Sequence, residues 1–200
     1  LQDDIARGNT EVHSAQSALL KRLGEEFSNA DPAVWNDPRN ARAVVVFLLS
    51  GGSPQVVGAL RARATLAIDP TILDGALAYI EGRPDEARAR IGAMNPRDMP
   101  AAIAAEIALV QSALVAQDDS KAAIDRLDEA RLLLPGTLVE EAALRREIFV
   151  AGQADDFDRF EALSLRYLWR FKQSIYSENF RQRLGRAVAR FGFAQQPARF

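Results

Sequence analysis

The chain has 200 residues, of which 48% are hydrophobic and 26% charged, and its formal net charge is −2. These are ordinary values for a globular protein with a buried core. The lack of cysteine excludes disulfides, thiolate nucleophiles and thiolate metal sites. The longest apolar run, residues 43–49, is far shorter than the roughly 20 residues that a membrane-spanning helix needs. We therefore expect a protein that does not span a membrane.

The first half of the chain predicts short helices that each begin at a cap residue followed by proline. From Thr10 onward, apolar residues at helical spacing predict an amphipathic helix that stops at Asp31-Pro32. Asp37-Pro38, Ser53-Pro54 and Asp69-Pro70 then repeat the pattern of a helix start. Such regular punctuation indicates many short helices joined by tight turns.

The second half contains a pattern that resembles the tetratricopeptide repeat. Small, large, small and proline residues follow one another at spacings of 4, 3 and 5: Ala123, Leu127, Ala130 and Pro135. Weaker copies lie 36 residues earlier and 37 residues later: Ala87, Ile91 and Met94, and Phe160, Ser164 and Tyr167. Small residues allow helices to approach closely, and the large residue fills the space between neighbouring hairpins.

These patterns predict an all-α fold of stacked helical hairpins, a tetratricopeptide-like α-solenoid that forms one domain over residues 1–200. An irregular α-helical domain is the alternative. We expect at least eight helices and no sheet of more than two short strands. The predicted hairpins and closing helix are 39–50 with 54–67, 71–81 with 84–93, 100–116 with 120–134, 138–150 with 156–172, and 177–191.

No motif in the sequence predicts catalysis, a cofactor or a metal ion. His13 is the single histidine, and its position favours a solvated surface side chain. Gly51-Gly52-Ser53 lacks the lysine and the preceding strand of a phosphate-binding loop, so a helix end followed by a new cap explains it. The acids at 155–158, and Glu140 with Glu141, are typical of helix N termini. We expect a non-enzymatic protein.

The C-terminal segment has an unusual charge. Residues 164–200 carry eight Arg or Lys residues against Glu178 alone. Arg183, Arg186 and Arg190 share one face of a predicted helix, beside a separate apolar stripe. We predict that they bind a partner together with Trp169, which lies on a helix that is apolar on nearly all sides. A solvated face is the alternative; nucleic-acid binding is disfavoured because the aromatic residues follow core spacing.

Several segments of the sequence resemble the MotC family of periplasmic motility proteins. They are LQDDIARGN at 1–9, AVWNDPRNA at 33–41, LLSGG at 48–52, DEARLLLPGTLVEEAALRRE at 128–147 and NFRQR at 179–183. The resemblance covers nearly the whole chain, and the long segment that ends at Glu147 is the most specific. Family members are longer and begin with a signal sequence, so the chain is expected to be the N-terminal part of a mature protein.

The resemblance implies a periplasmic accessory protein of the flagellar motor that associates with the periplasmic part of the stator subunit MotB. It supplies no catalytic or cofactor residues. Without the resemblance, the residues themselves also permit a cytosolic helical-repeat adaptor or a chaperone-like binding module, because the two classes share a fold.

Overall fold

The computed structural model describes the backbone of residues 11–190 and the side chains of residues 16–190. This part of the chain forms ten α-helices and no strand, which confirms the predicted all-α fold. The helices are α1 (Glu11–Asn29), α2 (Pro38–Leu49), α3 (Pro54–Arg63), α4 (Pro70–Ile80), α5 (Pro84–Ile91), α6 (Ala101–Val115), α7 (Ser120–Leu133), α8 (Leu138–Gln153), α9 (Phe157–Arg170) and α10 (Ser177–Arg190). Two 3-10 helices occupy Pro32–Asn36 and Pro96–Asp98. The side chain of His13, the sequence segment at 1–9 and Phe191 lie outside the described part.

The predicted cap residues begin their helices. Asp37 accepts a hydrogen bond from the backbone N–H of Arg39 at 2.8 Å, and Asp69 accepts one from Thr71 at 2.8 Å. Each cap satisfies a backbone donor that the first turn leaves free, a contribution of about 1 kcal/mol. Asp31 caps a 3-10 helix in the same way. The sequence pattern therefore located helix starts within a residue.

The end of α2 depends on two glycines. Gly51 has φ +100°, a left-handed conformation that side chains disfavour, and the N–H of Gly52 donates to the carbonyl of Phe47 at 2.8 Å. A Cβ on Gly52 would stand 2.4 Å from the Phe47 ring. The pair therefore ends a helix, as predicted, and Gly52 also packs against the Phe47 ring.

Helix α3 ends at Arg63, four residues before the predicted end. The Arg63 guanidinium donates to the carbonyls of Phe27 and Ala30 at 2.7 and 3.1 Å; these carbonyls lie at the C-terminal end of α1, where carbonyls have no donor within the helix. The next residue, Ala64, is extended. Since Arg63 is tied to α1, the chain turns away earlier than the apolar spacing suggested.

The described residues divide into two compact units. The N-terminal unit, His13–Leu114, has a core in which the Phe27 ring lies 5.1 Å from both the Trp35 and the Phe47 ring. Helices α4 and α5 pack as the predicted hairpin. The buried amide of Gln111 donates to the carbonyls of Ile91 and Met94 at 2.7 and 2.8 Å, which fixes the turn after α5.

The C-terminal unit, residues 115–190, is built around α8. Helix α8 packs against α7 and α9 along most of its length, and α10 also contacts it. Ala123, Leu127 and Ala130, the predicted repeat face of α7, are buried at 0%, 1% and 0% exposure. The predicted burial of this face is therefore confirmed. The single-domain interpretation of residues 1–200 stays a prediction.

Candidate partner-binding surface

The N terminus of α8 forms a capping box with the pattern Thr-x-x-Glu. Gly136, at φ +79°, places Thr137 so that its hydroxyl accepts from the N–H of Glu140 at 3.4 Å. The Glu140 carboxylate reaches back to the N–H of Gly136 at 2.5 Å, one residue before the N-cap N–H that the usual capping box uses. The same carboxylate accepts from Arg170 at 3.0 Å, so the box also holds the C-terminal end of α9.

Glu141 ties the turn after α9 to α8. This buried carboxylate accepts hydrogen bonds from the Tyr167 hydroxyl at 2.7 Å and the Ser174 hydroxyl at 2.5 Å. Burial, with the hydrogen bond to Glu141, raises the pKa of Tyr167 well above its ordinary value. Tyr167 therefore stays neutral and acts as a structural donor rather than as a nucleophile.

Glu147, in the middle of α8, is fully buried in a cluster of four charges. Its carboxylate lies 3.0 Å from Arg131 Nε of α7 and 2.7 Å from Arg159 Nε of α9. Asp128 of α7 pairs with both arginines. Burial raises the pKa of Glu147, although the two arginines oppose the shift. The cluster joins three consecutive helices through one side chain.

Helix α10 docks through aromatic side chains. Phe180 is buried, with its ring centroid 3.9 Å from that of Tyr167 and 6.1 Å from that of Phe149. The guanidinium of Arg183 lies 4.4 Å from the Phe149 ring, a cation–π geometry. Phe180 and Arg183 thus anchor one side of α10 to the C-terminal half of α8.

The structure separates the residues predicted to bind a partner. Arg186 and Arg190 are exposed on α10, while Arg183, also exposed, is stacked on Phe149. Trp169 is 80% exposed, and the residue beside it, Arg170, contacts the first turn of α8. Trp169 and the arginines therefore lie toward opposite ends of α8. Their role in partner binding stays a prediction.

The two ends of the C-terminal unit differ in character. The apolar–basic end, where α7 turns into α8 and α9 ends, exposes large apolar side chains and bases: Leu132, Leu138, Leu165, Trp169, Arg166 and Lys172. The opposite end, at the start of α7 and the turn between α8 and α9, exposes five aspartates: Asp118, Asp119, Asp155, Asp156 and Asp158. Neither Leu132 nor Leu138 was predicted from the sequence to lie at an exposed surface. The repeat pattern could have related Leu132 to Trp169, because Leu132 precedes Trp169 by 37 residues, which is the offset of the repeat.

The acids that the sequence analysis assigned to helix N termini have structural partners. Asp156 caps α9, because its carboxylate accepts from the N–H of Arg159 at 3.1 Å. Glu140 and Glu141 take part in the contacts described above. Within residues 16–190, no group of three or more His, Asp or Glu side chains has the arrangement of a metal site. None of the helices in the described part is both long and apolar enough to cross a bilayer.

Packed adjacent helices, three of which are joined by a buried charge cluster, define an all-α helical-repeat protein. The chain belongs to the MotC family, since it matches the family described as Chemotaxis protein MotC over residues 1–200. It is similar to Chemotaxis protein MotC of Rhizobium meliloti (strain 1021), with 29% identity over 181 residues. That alignment covers 90% of this chain and 42% of the relative, so the chain spans less than half of the relative's length. No solved structure matches the chain.

Proposed function

We propose that this chain is part of a non-enzymatic, periplasmic accessory protein of the flagellar motor, which binds the stator subunit MotB and is needed for motor rotation. Membership of the MotC family is the observation that carries the proposal. The described fold agrees with a binding role, because it presents exposed arginines and a solvated tryptophan on a rigid helical frame.

The basic face of α10 is the first candidate surface for the stator subunit. Arg186 and Arg190 extend from a helix that Phe180 and Arg183 hold in place, so the charges are presented in a fixed geometry. Arginine suits such a surface because its planar head forms paired hydrogen bonds with carboxylates. We expect an acidic patch on the periplasmic domain of MotB to meet this face.

The test is a binding measurement between this chain and the purified periplasmic domain of MotB. Replacing Arg183, Arg186 and Arg190 together by Glu should abolish binding and swimming, because it turns a basic face into an acidic one. Because Arg183 also stacks on Phe149, the double variant of Arg186 and Arg190 keeps that contact and should lose binding with the fold intact. If the folded triple variant still binds and supports swimming, the face only increases solubility and the proposed surface is wrong.

A matched control reverses three exposed bases of the N-terminal unit, Lys21, Arg22 and Arg39. This control should keep full stator binding, which separates a local effect from a change in net charge. The compartment is tested separately by fractionating cells that carry the full-length gene. Recovery of the protein with the cytosol would favour the alternative class, a helical-repeat adaptor.

A further inference from the structure

The exposed apolar side chains of the C-terminal unit are not scattered. Among the described residues of this unit, the large apolar side chains that are exposed all belong to the apolar–basic end. Leu132 and Trp169 are 79% and 80% exposed, values at which a large apolar side chain gains nothing from folding. A solvated cluster of this kind marks an interaction site more often than a lone exposed leucine does.

The repeat brings these residues together. Leu132 and Trp169 occupy equivalent positions of successive repeats, so they project on the same side of the stacked hairpins. Leu138 begins α8 directly after the turn that follows Leu132. The contact of Arg170 with Glu140 at 3.0 Å places the end of α9 beside the start of α8. Exposed apolar groups from three helices therefore meet at one end of the unit.

The charges around these apolar side chains indicate which kind of partner would bind. Arg166 and Lys172 are exposed and lie three residues on either side of Trp169, whereas Glu140, in the first turn of α8, is buried and bound to Gly136 and Arg170. Five exposed aspartates lie at the opposite end of the unit, and Asp125 and Asp128 lie in the middle of α7. An apolar surface bordered by bases fits a ligand that has apolar side chains and acidic neighbours.

We propose that the apolar–basic end is a docking site for an acidic amphipathic segment of a partner protein. Apolar side chains of the segment cover Leu132, Leu138 and Trp169, and its carboxylates pair with Arg166 and Lys172. Arg170 is held by the capping box and keeps the site rigid. The site is separate from the arginine face of α10, and it does not depend on MotB being the partner.

The test uses the whole chain and two synthetic peptides with the same leucine spacing, one with glutamates on its polar face and one with lysines. Trp169 is a built-in reporter because the other tryptophan, Trp35, is buried at 3% exposure. Titration with the glutamate peptide should shift tryptophan emission to the blue and reduce quenching by acrylamide. The lysine peptide should produce neither change. The fluorescence response should vanish in the variant Trp169→Phe.

Substitutions distinguish binding at this site from nonspecific hydrophobic binding. Leu132→Glu combined with Leu138→Glu should weaken binding of a labelled glutamate peptide by at least about tenfold, the effect of losing central apolar contacts. Both side chains are exposed, so the helical circular dichroism signal should be unchanged. Leu19→Glu, at an exposed leucine of the N-terminal unit, is the matched control and should bind as the wild type does.

Four results would overturn the proposal. One is the absence of a saturable response to the glutamate peptide, and another is equal binding of both peptides. A third is a concentration-dependent dimer that the Leu132→Glu and Leu138→Glu variant abolishes, which would assign this end to a second copy of the chain. The fourth is binding to vesicles of anionic lipid that the same variant abolishes, which would assign it to a membrane surface. Failure of MotB binding would leave this proposal standing.

Discussion

Glu147 has no solvent contact, yet it is linked to Arg131 and Arg159 on the two neighbouring helices. Removing one member of a buried charge cluster leaves the others desolvated without a partner. We expect Glu147→Leu to lower the free energy of unfolding by about 3–5 kcal/mol in urea titrations. Glu178→Gln, at an exposed acid of α10, should change it by less than about 0.5 kcal/mol. If Glu147→Leu lowered the free energy of unfolding by no more than Glu178→Gln does, the cluster would not be stabilising.

Tyr167 makes stability depend on alkaline pH. Its pKa is raised in the folded protein, so the unfolded chain ionises this phenol first as the pH rises above about 10. The contribution of Tyr167 to stability is complete below that pH and decreases above it. Tyr167→Phe, which loses the hydrogen bond to Glu141, should cost about 1–2 kcal/mol near neutrality. The difference between wild type and variant should narrow above pH 10.

Ultraviolet absorbance checks the same point directly. The phenolate signal of Tyr167, taken as the difference between the wild type and Tyr167→Phe, should appear only when the protein unfolds. Its appearance near pH 10 in the folded protein would contradict the raised pKa.

At the scale of the helices, the sequence predicted where each helix starts, because a cap acts on neighbouring residues. It did not predict the tertiary contacts between helices. Asp37 and Asp69 act on backbone groups two residues away, so the sequence alone reveals them. Glu141 and Tyr167 are 26 residues apart, and a glutamate in a first turn has the same sequence pattern whether it is solvated or buried. The early end of α3 depends on contacts of Arg63 with carbonyls 33 and 36 residues away. Such contacts have no local signature.

Two glycines with open surroundings should respond to alanine with opposite signs. Gly136 has φ +79° and nothing within 4 Å of an added Cβ, so Gly136→Ala costs only backbone strain, about 1 kcal/mol. Gly58 also has open space but lies inside α3, where alanine is favoured by about 0.5–1 kcal/mol. Thermal melts should show a lower Tm for Gly136→Ala and a higher Tm for Gly58→Ala. Equal signs would contradict the turn geometry before α8.

At the scale of the whole molecule, the sequence predicted the fold class and the family better than the candidate surface. Repeat spacing and serial capping are global patterns, and both appear in the helices. The arginines of α10 share a face as predicted, but Trp169 lies at another end of the unit, because the turn after α9 carries α10 back along α8. Which apolar side chains stay exposed depends on how many neighbours each helix has. The apolar pattern of α9 in the sequence did not reveal how many helices pack against it.

We expect the stability of the whole chain not to depend on a bound ligand. It has one histidine and no cysteine, and its aspartates at 155–158 include the cap of α9. A ligand that binds only the native state raises Tm progressively as its concentration exceeds its Kd. Addition of zinc, calcium or ATP, or treatment with EDTA, should therefore leave Tm unchanged in a thermal melt. A Tm that rises with ligand concentration would reveal a site outside the described clusters.

The exposed bases Arg166 and Lys172 give the apolar–basic end a local positive potential that extends into solution. An acidic partner that approaches from solution would be turned toward the apolar–basic end before any side chains touch. Such steering acts on the association rate and is screened at the ionic strength of a cell, where the Debye length is about 8 Å. The arrangement of charge therefore governs how quickly, and from which direction, a partner arrives, while the leucines and Trp169 govern how long it stays.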